Sequence, residues 1–155
     1  MDVSPYALNQ RILIVDDDPD ILRTLELLLK SQYEIFTITN GKDAVDIFQD
    51  VEPDLIILDA MMPMMSGYEA SDIIRKNKRY KEIPIIMLSA LDTMKDHRSG
   101  YEHGITLYLT KPFTPDILLK NIELELYKLG RPPQKKYSMD ELNRKYSGIK
   151  PSRNK

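Results

Sequence analysis

The sequence predicts a three-layer α/β sandwich of about 125 residues, with helices on both faces of a parallel sheet. Two observations lead to this fold class. Short apolar runs rich in β-branched residues alternate five times with segments of helical periodicity. The connections between them are short, and continuous apolar runs are typical of parallel strands that are buried on both faces. The carboxyl ends of such strands share one edge of the sheet, where ligands bind.

The first strand–helix unit has clear boundaries. A strand is predicted over residues 11–15, and Asp18 is placed to cap the following helix with Pro19 at its first position. The apolar residues of this helix form one stripe: Ile21, Leu22, Leu25, Leu28 and Leu29. The stripe predicts a helix that packs one face on the sheet.

The other elements follow from turn residues and periodicity. In chain order we expect a strand over 33–39, a helix from Gly41 through Gln49, a strand ending at Asp59, a helix ending near Asn77, a strand over 85–88, a polar helix over 93–102, a short strand over 106–109 and a helix from Pro115 to Leu129. The last helix has a strong start at Thr114 and a stop at Gly130.

The two ends of the chain differ from the domain between them. Residues 1–10 form an N-terminal extension, residues 11–130 the domain, and residues 131–155 a basic tail or linker. Eight basic and two acidic side chains give the tail a net charge of +6, which leaves −8 for the rest. A capping-box pattern from Ser138 to Glu141 indicates a short helix around 139–146, which needs a docking surface to persist.

Composition excludes several classes of protein. The 155 residues include no cysteine, which excludes disulfides and thiolate sites. No apolar stretch approaches the roughly 20 residues that span a bilayer, and the N-terminus does not resemble a secretory signal. We therefore expect a cytoplasmic protein without a membrane partner.

Polar residues stand at the ends of four predicted strands. They are Asp16 and Asp17, Asp59, Ser89 and Lys111. Taken singly, each has an ordinary explanation, such as a capped turn, a strand terminator or a solvated loop lysine. Together they place three carboxylates, a hydroxyl and an ammonium at one edge of the sheet. This set predicts a site for a divalent cation and a phosphoryl group.

The predicted cation is Mg²⁺, for which Mn²⁺ can substitute. Neighbouring aspartates at a buried strand end repel one another unless a cation neutralises them, and Mg²⁺ prefers oxygen ligands. We expect Asp17 to bind directly, Asp16 to act through a coordinated water, and Asp59 and the backbone carbonyl of Met61 to complete the protein's share.

Asp59 is the predicted nucleophile. A carboxylate can take a phosphoryl group to form an acyl phosphate. Lys111 would supply a positive charge to a phosphoryl oxygen and to Asp59. Ser89 would donate a hydrogen bond to another phosphoryl oxygen.

Four segments resemble a known family. They are ILIVDDDPD (12–20), PDLIILDAMMPMMSGYE (53–69), IPIIMLSA (83–90) and YLTKPF (108–113). They closely resemble the receiver domain of two-component response regulators, over about residues 10–130. The resemblance implies a flavodoxin-like, doubly wound sheet of five parallel strands in the order 2-1-3-4-5. It also implies that Asp59 accepts phosphate from the phosphohistidine of a sensor histidine kinase or phosphotransfer protein.

The resemblance also implies how the signal leaves the site. Asp16 and Asp17 correspond to the family's acidic pair, and Lys111 corresponds to its lysine. In the family, the peptide bond between this lysine and the following proline, here Pro112, is commonly cis. Ser89 and Tyr108 correspond to the switch hydroxyl and the switch aromatic. Phosphorylation would then alter the surface formed by residues 93–130 for binding of a downstream protein. Such a protein catalyses its own phosphorylation and dephosphorylation and is otherwise not an enzyme.

Two departures from the family pattern have consequences. Leu107 stands where an acidic residue is usual, which argues against a charge-paired dimer, although a homodimer of another kind stays open. Met61 and Leu91 follow Asp59 and Ser89 by two residues, and neither can orient a water molecule. We therefore expect slow to moderate self-dephosphorylation.

Several functional alternatives remain open. The chain is either a switch without an output domain, since the tail is too short for a DNA-binding domain, or the receiver part of a larger transcription factor or hybrid kinase with 131–155 as its linker. An aspartyl-phosphate phosphatase is a remote alternative, because Asp59 ends the third strand and not the first. Nucleic-acid binding through the basic tail is disfavoured, because the tail has no readout fold.

Overall fold

The structure, a computed structural model, describes residues 10–90, 102–130 and 150–151. Five strands form a parallel sheet: β1 (Arg11–Val15), β2 (Glu34–Ile38), β3 (Leu55–Asp59), β4 (Ile85–Ser89) and β5 (Leu107–Thr110). Their order across the sheet is 2-1-3-4-5, and every neighbouring pair among them is parallel. The predicted fold class and strand order are confirmed.

Four α-helices alternate with these strands in the described parts of the chain: α1 (Pro19–Leu29), α2 (Gly41–Val51), α3 (Gly67–Lys76) and α4 (Pro115–Leu129). A 3₁₀ turn, Lys78–Tyr80, follows α3. The helix predicted over 93–102 lies outside the described residues except for Glu102, and so does the short helix predicted over 139–146. Within 10–90, 102–130 and 150–151, no helix is both long and apolar enough to cross a membrane.

The sheet has a separate apolar core on each face. Helices α1 and α4 cover one face, where their buried residues pack against alternate side chains of the strands, such as Ile12, Ile14 and Ile57. Helices α2 and α3 cover the other face, where Leu13, Val15 and Leu58 point. Both faces of the sheet are therefore buried, which explains why the strands read as uninterrupted apolar runs.

A sixth strand, which the sequence analysis did not anticipate, lies outside β2. Strand β6 (Lys150–Pro151) pairs antiparallel with β2, with Thr37 opposite Lys150 and Phe36 opposite Pro151. The N–H of Glu34 and the carbonyl of Ile38 form hydrogen bonds with residues on the β1 side. Because the backbone N–H and C=O groups of successive residues point to alternate sides of a strand, those of Thr37 face away from β1. Pro151, which has no N–H, is therefore opposite Phe36, whose backbone groups face β1 and need no donor from β6.

Candidate functional site

The carboxyl ends of four strands bring the predicted polar residues together. Asp59 is the last residue of β3 and Ser89 the last of β4. Asp16 follows β1 directly, and Lys111 follows β5. The backbone N–H of Lys111 donates to the carbonyl of Ser89 at 2.6 Å. That bond anchors the lysine next to the end of β4, so that its side chain extends over the sheet edge.

Three carboxylates form a cluster at this edge. Asp16, Asp17 and Asp59 each present a carboxylate oxygen, and these oxygens all lie within 4.8 Å of one another. Asp16 and Asp59 are almost fully buried, with 1% and 7% of their surfaces exposed, whereas Asp17 faces solvent. Oxygen ligands at this spacing suit a hard divalent cation, which would enter from the side of Asp17. The donor set therefore fits the predicted metal class.

The two oxygens of Asp16 have different partners. Oδ1 accepts a hydrogen bond of 2.9 Å from the backbone N–H of Asp18. Oδ2 lies 3.4 Å from Nζ of Lys111. Asp18 itself caps α1, since its side chain accepts from the N–H of Asp20, as the sequence predicted.

The electrostatic environment of Asp59 is unfavourable to its negative charge. The pKa of Asp59 is raised to about 6, because burial and, to a smaller extent, the neighbouring charge of Asp16 raise it more than Lys111 lowers it. Burial likewise raises the pKa of Asp16. One ammonium does not balance three clustered carboxylates, so a divalent cation would be strongly favoured here.

The same surroundings favour the charged form of Lys111. Burial acts to lower the pKa of Lys111, but the charges of Asp16 and Asp59 outweigh that effect and the net shift is upward. The side chain is therefore a permanent cation at neutral pH. Its peptide bond to Pro112 is cis, as the resemblance implied.

The remaining predicted residues lie around this cluster. The side chain of Ser89 is buried, with 2% exposed. Tyr108 is also buried, in β5 opposite Met87 of β4. Met61 is 63% exposed in the loop after β3, and the ligand role of its carbonyl stays a prediction.

Sequence reasoning missed Gly67, the first residue of α3. A Cβ atom at this position would lie 2.2 Å from the carbonyl oxygen of Asp59. The backbone N–H of Gly67 donates to the carbonyl of Ala60. Ser66 caps the start of the helix and forms a capping box with Glu69. The capping box was readable in the sequence, but the close approach of the glycine to Asp59 depends on the tertiary fold.

Helix α3 also contributes contacts that the sequence did not indicate. The hydroxyl of Tyr68 lies 2.8 Å from the hydroxyl of Tyr108. His103 pairs through Nδ1 with Asp72 of α3 at 2.7 Å. No sequence motif marks these pairs, because their members are 31 or more residues apart.

Comparisons with known proteins agree with this geometry. The sequence matches the profile of the response regulator receiver domain over residues 12–123. It is 40% identical over 125 residues to the probable transcriptional regulator ycf27 of Cyanophora paradoxa, covering 80% of this chain and 51% of that protein. It is 38% identical to protein PilG of Pseudomonas aeruginosa, covering 73% of this chain and 84% of that protein.

A solved structure supports the same relationship. Chemotaxis protein CheY4 of Vibrio cholerae superposes with a TM-score of 0.71 at 34% identity, and the match covers 74% of this chain and 97% of that one. The chain spans about half the length of the ycf27 relatives that it matches.

Proposed function

Because the chain belongs to the response regulator receiver domain family, we propose that it is a phosphorylation-controlled switch whose phosphoacceptor is Asp59. The donor is the phosphohistidine of a sensor histidine kinase or of a phosphotransfer protein. The observation that carries this proposal is the position of Asp59, a buried carboxylate with two further carboxylates around it and the Lys111 ammonium 3.4 Å away.

The transfer is a displacement at phosphorus. A carboxylate oxygen of Asp59 forms the new O–P bond, and the P–N bond of the donor breaks with its electron pair passing to the imidazole nitrogen. The product is an acyl phosphate on Asp59. Nζ of Lys111 lies 3.4 Å from Oδ1 of Asp59 and would balance the charge that the phosphoryl group brings.

Asp16, Asp17 and Asp59 would hold the cation, with the carbonyl of Met61 as a further ligand. Mg²⁺ is the proposed ion, with Mn²⁺ as a substitute. When bound, it supplies positive charge to the phosphoryl oxygens during transfer. The support is the spacing of the three carboxylates and the raised pKa values of Asp16 and Asp59, which indicate negative charge in need of compensation.

Ser89 and Tyr108 would communicate the change to the surface. Ser89 donates a hydroxyl hydrogen bond to a phosphoryl oxygen, and Tyr108 occupies the space next to it. A downstream protein then binds to the surface of residues 93–130 or to the tail. In this proposal residues 11–130 are the receiver domain and 131–155 a tail or linker, in a cytoplasmic protein that modifies only itself.

Two arrangements of the whole protein are compatible with the relatives. PilG is covered over 84% of its length, which favours a receiver that works without an attached output domain. The ycf27 protein is described as a probable transcriptional regulator and is covered over 51%. That match favours a receiver joined through 131–155 to further domains, as in a transcription factor.

The experiment that tests the proposal is intact-mass measurement after incubation with acetyl phosphate and Mg²⁺. The unsubstituted chain should gain about 80 Da, the mass of one phosphoryl group. The gain should disappear in Asp59→Asn and when the cation is chelated. Asp46→Asn is the matched control, because Asp46 lies exposed on α2 and should leave the gain intact. A gain that persists in Asp59→Asn would contradict the assignment of the phosphoacceptor.

A further inference from the structure

Helix α3 contacts the chain that leads into β5 through one stripe of side chains. Ser71 donates from Oγ to the carbonyl of His103 at 2.6 Å. Arg75 donates from Nη2 and Nε to the carbonyl of Gly104 at 2.7 and 2.9 Å. Asp72 pairs with the ring of His103 at 2.7 Å. These bonds hold the start of the β5 segment against α3.

Tyr68 extends the same stripe by one turn towards the phosphoacceptor. It precedes Ser71 by three residues and Asp72 by four, so it lies on the same face of the helix. Its ring packs 5.3 Å from the ring of His103, at an interplanar angle of 53°. Its hydroxyl reaches that of Tyr108 at 2.8 Å. The stripe therefore continues from the entry of β5 to the middle of the strand.

The hydroxyl pair selects a side-chain conformation of Tyr108. This residue is 7% exposed and belongs to the core cluster on the α2–α3 face of the sheet. A buried phenol needs a hydrogen-bond partner, and Tyr68 supplies one only while the Tyr108 ring points towards α3. Turning the ring out to solvent would break the bond. The bond thus favours the buried conformation over the exposed one.

Tyr108 is also close to the proposed phosphorylation site through the backbone. It precedes Thr110 by two residues and Lys111 by three, and Thr110 pairs with Ser89 across β4 and β5. A change in the conformation of Tyr108 therefore occurs in the strand that also carries Lys111. In the proposed function Ser89 bonds to the phosphoryl group while the Tyr108 ring occupies the space next to it, so the buried conformation of Tyr108 favours phosphoryl binding. By linkage, phosphoryl binding favours the buried conformation to the same extent.

We propose that Tyr68 is a positioning residue for the switch: its hydroxyl holds Tyr108 in the buried conformation and thereby strengthens phosphoryl binding at Asp59. This inference rests on the proposed function, since it assigns to α3 a part in the control of the same site. It adds Tyr68 as a residue that touches neither the phosphoryl group nor the cation.

The test is titration of the full chain with beryllofluoride, a mimic of the phosphoryl group, in the presence of Mg²⁺. The chain is labelled with 3-fluorotyrosine, and ¹⁹F resonances report on individual tyrosines, with the Tyr108 signal identified from Tyr108→Phe. In Tyr68→Phe we expect the affinity for beryllofluoride to fall about three- to tenfold, which corresponds to the loss of one hydrogen bond. The Tyr108 resonance should shift towards the value of an exposed ring.

Two further variants sharpen the test. Tyr108→Phe should also lower the affinity, and the double variant should lower it by less than the two single effects combined, because both substitutions remove the same bond. Tyr127→Phe is the matched control: this ring is 86% exposed on α4, and its loss of a hydroxyl should change neither affinity nor the Tyr108 resonance.

The outcomes separate the inference from the function on which it rests. An Asp59-dependent response to beryllofluoride that is equally tight in Tyr68→Phe would overturn the inference alone. A lower melting temperature in Tyr68→Phe with unchanged affinity would do the same, since it would assign Tyr68 a merely structural role. A chain that shows no Asp59-dependent response at all would overturn the proposed function and the inference together.

Discussion

Lys111 and Asp59 lie 52 residues apart in the sequence, yet Nζ of the lysine is 3.4 Å from Oδ1 of the aspartate. The same ammonium is 3.4 Å from Oδ2 of Asp16. It is therefore shared between the two most buried carboxylates of the site. Burial raises the pKa of both carboxylates, and the shared ammonium offsets that effect only in part.

The first prediction concerns the pH dependence of stability without added cation. The pKa of Asp59 is about 6, against 3.8 as its ordinary value. Between these values the native state binds more protons than the unfolded state, so the contribution of this group to the free energy of unfolding falls as pH rises from about 4 to about 6. Asp59→Asn should remove this loss and stabilise the protein at pH 7.5, by on the order of 2 kcal/mol.

Urea unfolding at pH 5.0 and 7.5 checks this prediction, because the difference between the two proteins should widen at the higher pH. Adding Mg²⁺ at pH 7.5 should stabilise the unsubstituted chain more than Asp59→Asn, since a cation binds the deprotonated cluster of the native state. A difference between the two proteins that stays constant with pH and with Mg²⁺ would contradict the account.

The second prediction concerns Gly67. Replacing it with alanine places Cβ 2.2 Å from the carbonyl oxygen of Asp59, so the backbone at the end of β3 or the start of α3 must move. We expect a loss of roughly 2–4 kcal/mol in the free energy of unfolding, together with slower phosphorylation by acetyl phosphate.

Gly41→Ala provides the comparison for Gly67→Ala. Its Cβ would meet atoms of Met65 at 3.1 and 3.2 Å, so the required adjustment is only a few tenths of an ångström. Chemical denaturation of both variants measures the difference. Equal losses of stability in the two variants would show that the contact with the Asp59 carbonyl does not determine the cost of Gly67→Ala.

The third prediction concerns Arg75, whose guanidinium joins α3 to several backbone carbonyls. Besides the carbonyl of Gly104, it donates hydrogen bonds to the carbonyls of Tyr80, Lys81 and Ile83, at distances between 2.7 and 3.1 Å. Arg75→Met keeps the aliphatic stem but leaves these acceptors without their donor. We expect a loss of about 2–4 kcal/mol in the free energy of unfolding.

Arg23→Met is the control for Arg75→Met. Arg23 is 72% exposed and pairs only weakly with Asp20, at 3.7 Å, so its removal should cost less than about 0.5 kcal/mol. Thermal and urea unfolding of the two variants give the comparison. A loss at Arg75 as small as that at Arg23 would mean that water replaces the guanidinium without cost.

The fourth prediction concerns the outer edge of the sheet. The outward N–H of Thr37 faces Lys150 of β6, whereas the N–H of Phe36 points towards β1. Lys150→Pro removes the N–H that this pairing needs from the tail. We expect faster hydrogen exchange at Thr37 and an unchanged rate at Phe36, as measured by NMR. Exchange at Thr37 that is equally fast in both proteins would contradict a persistent β6.

Much of the architecture could be predicted because it follows from local patterns. The apolar runs of β1, β3 and β4 reveal strands buried on both faces, and caps such as Asp18 and Thr114 mark helix starts within one residue. β6 escaped prediction because a two-residue strand has no periodicity. The outer edge of β2 supplies its partner, and that edge exists only after the sheet has formed.

The candidate site likewise has features that the sequence predicted and features that it could not predict. Strand ends alone placed Asp16, Asp59, Ser89 and Lys111 at one edge, because the carboxyl ends of parallel strands coincide. Four features could be seen only in the tertiary structure: the sharing of Lys111 between two carboxylates, the raised pKa of Asp59, the close approach of Gly67 to Asp59, and the Tyr68–Tyr108 hydrogen bond. Each depends on distances between residues remote in the chain, and burial and separation set the strength of charge and hydrogen-bond interactions. The sequence by itself determined which groups meet, and the packing of the helices on the sheet decided how strongly they interact.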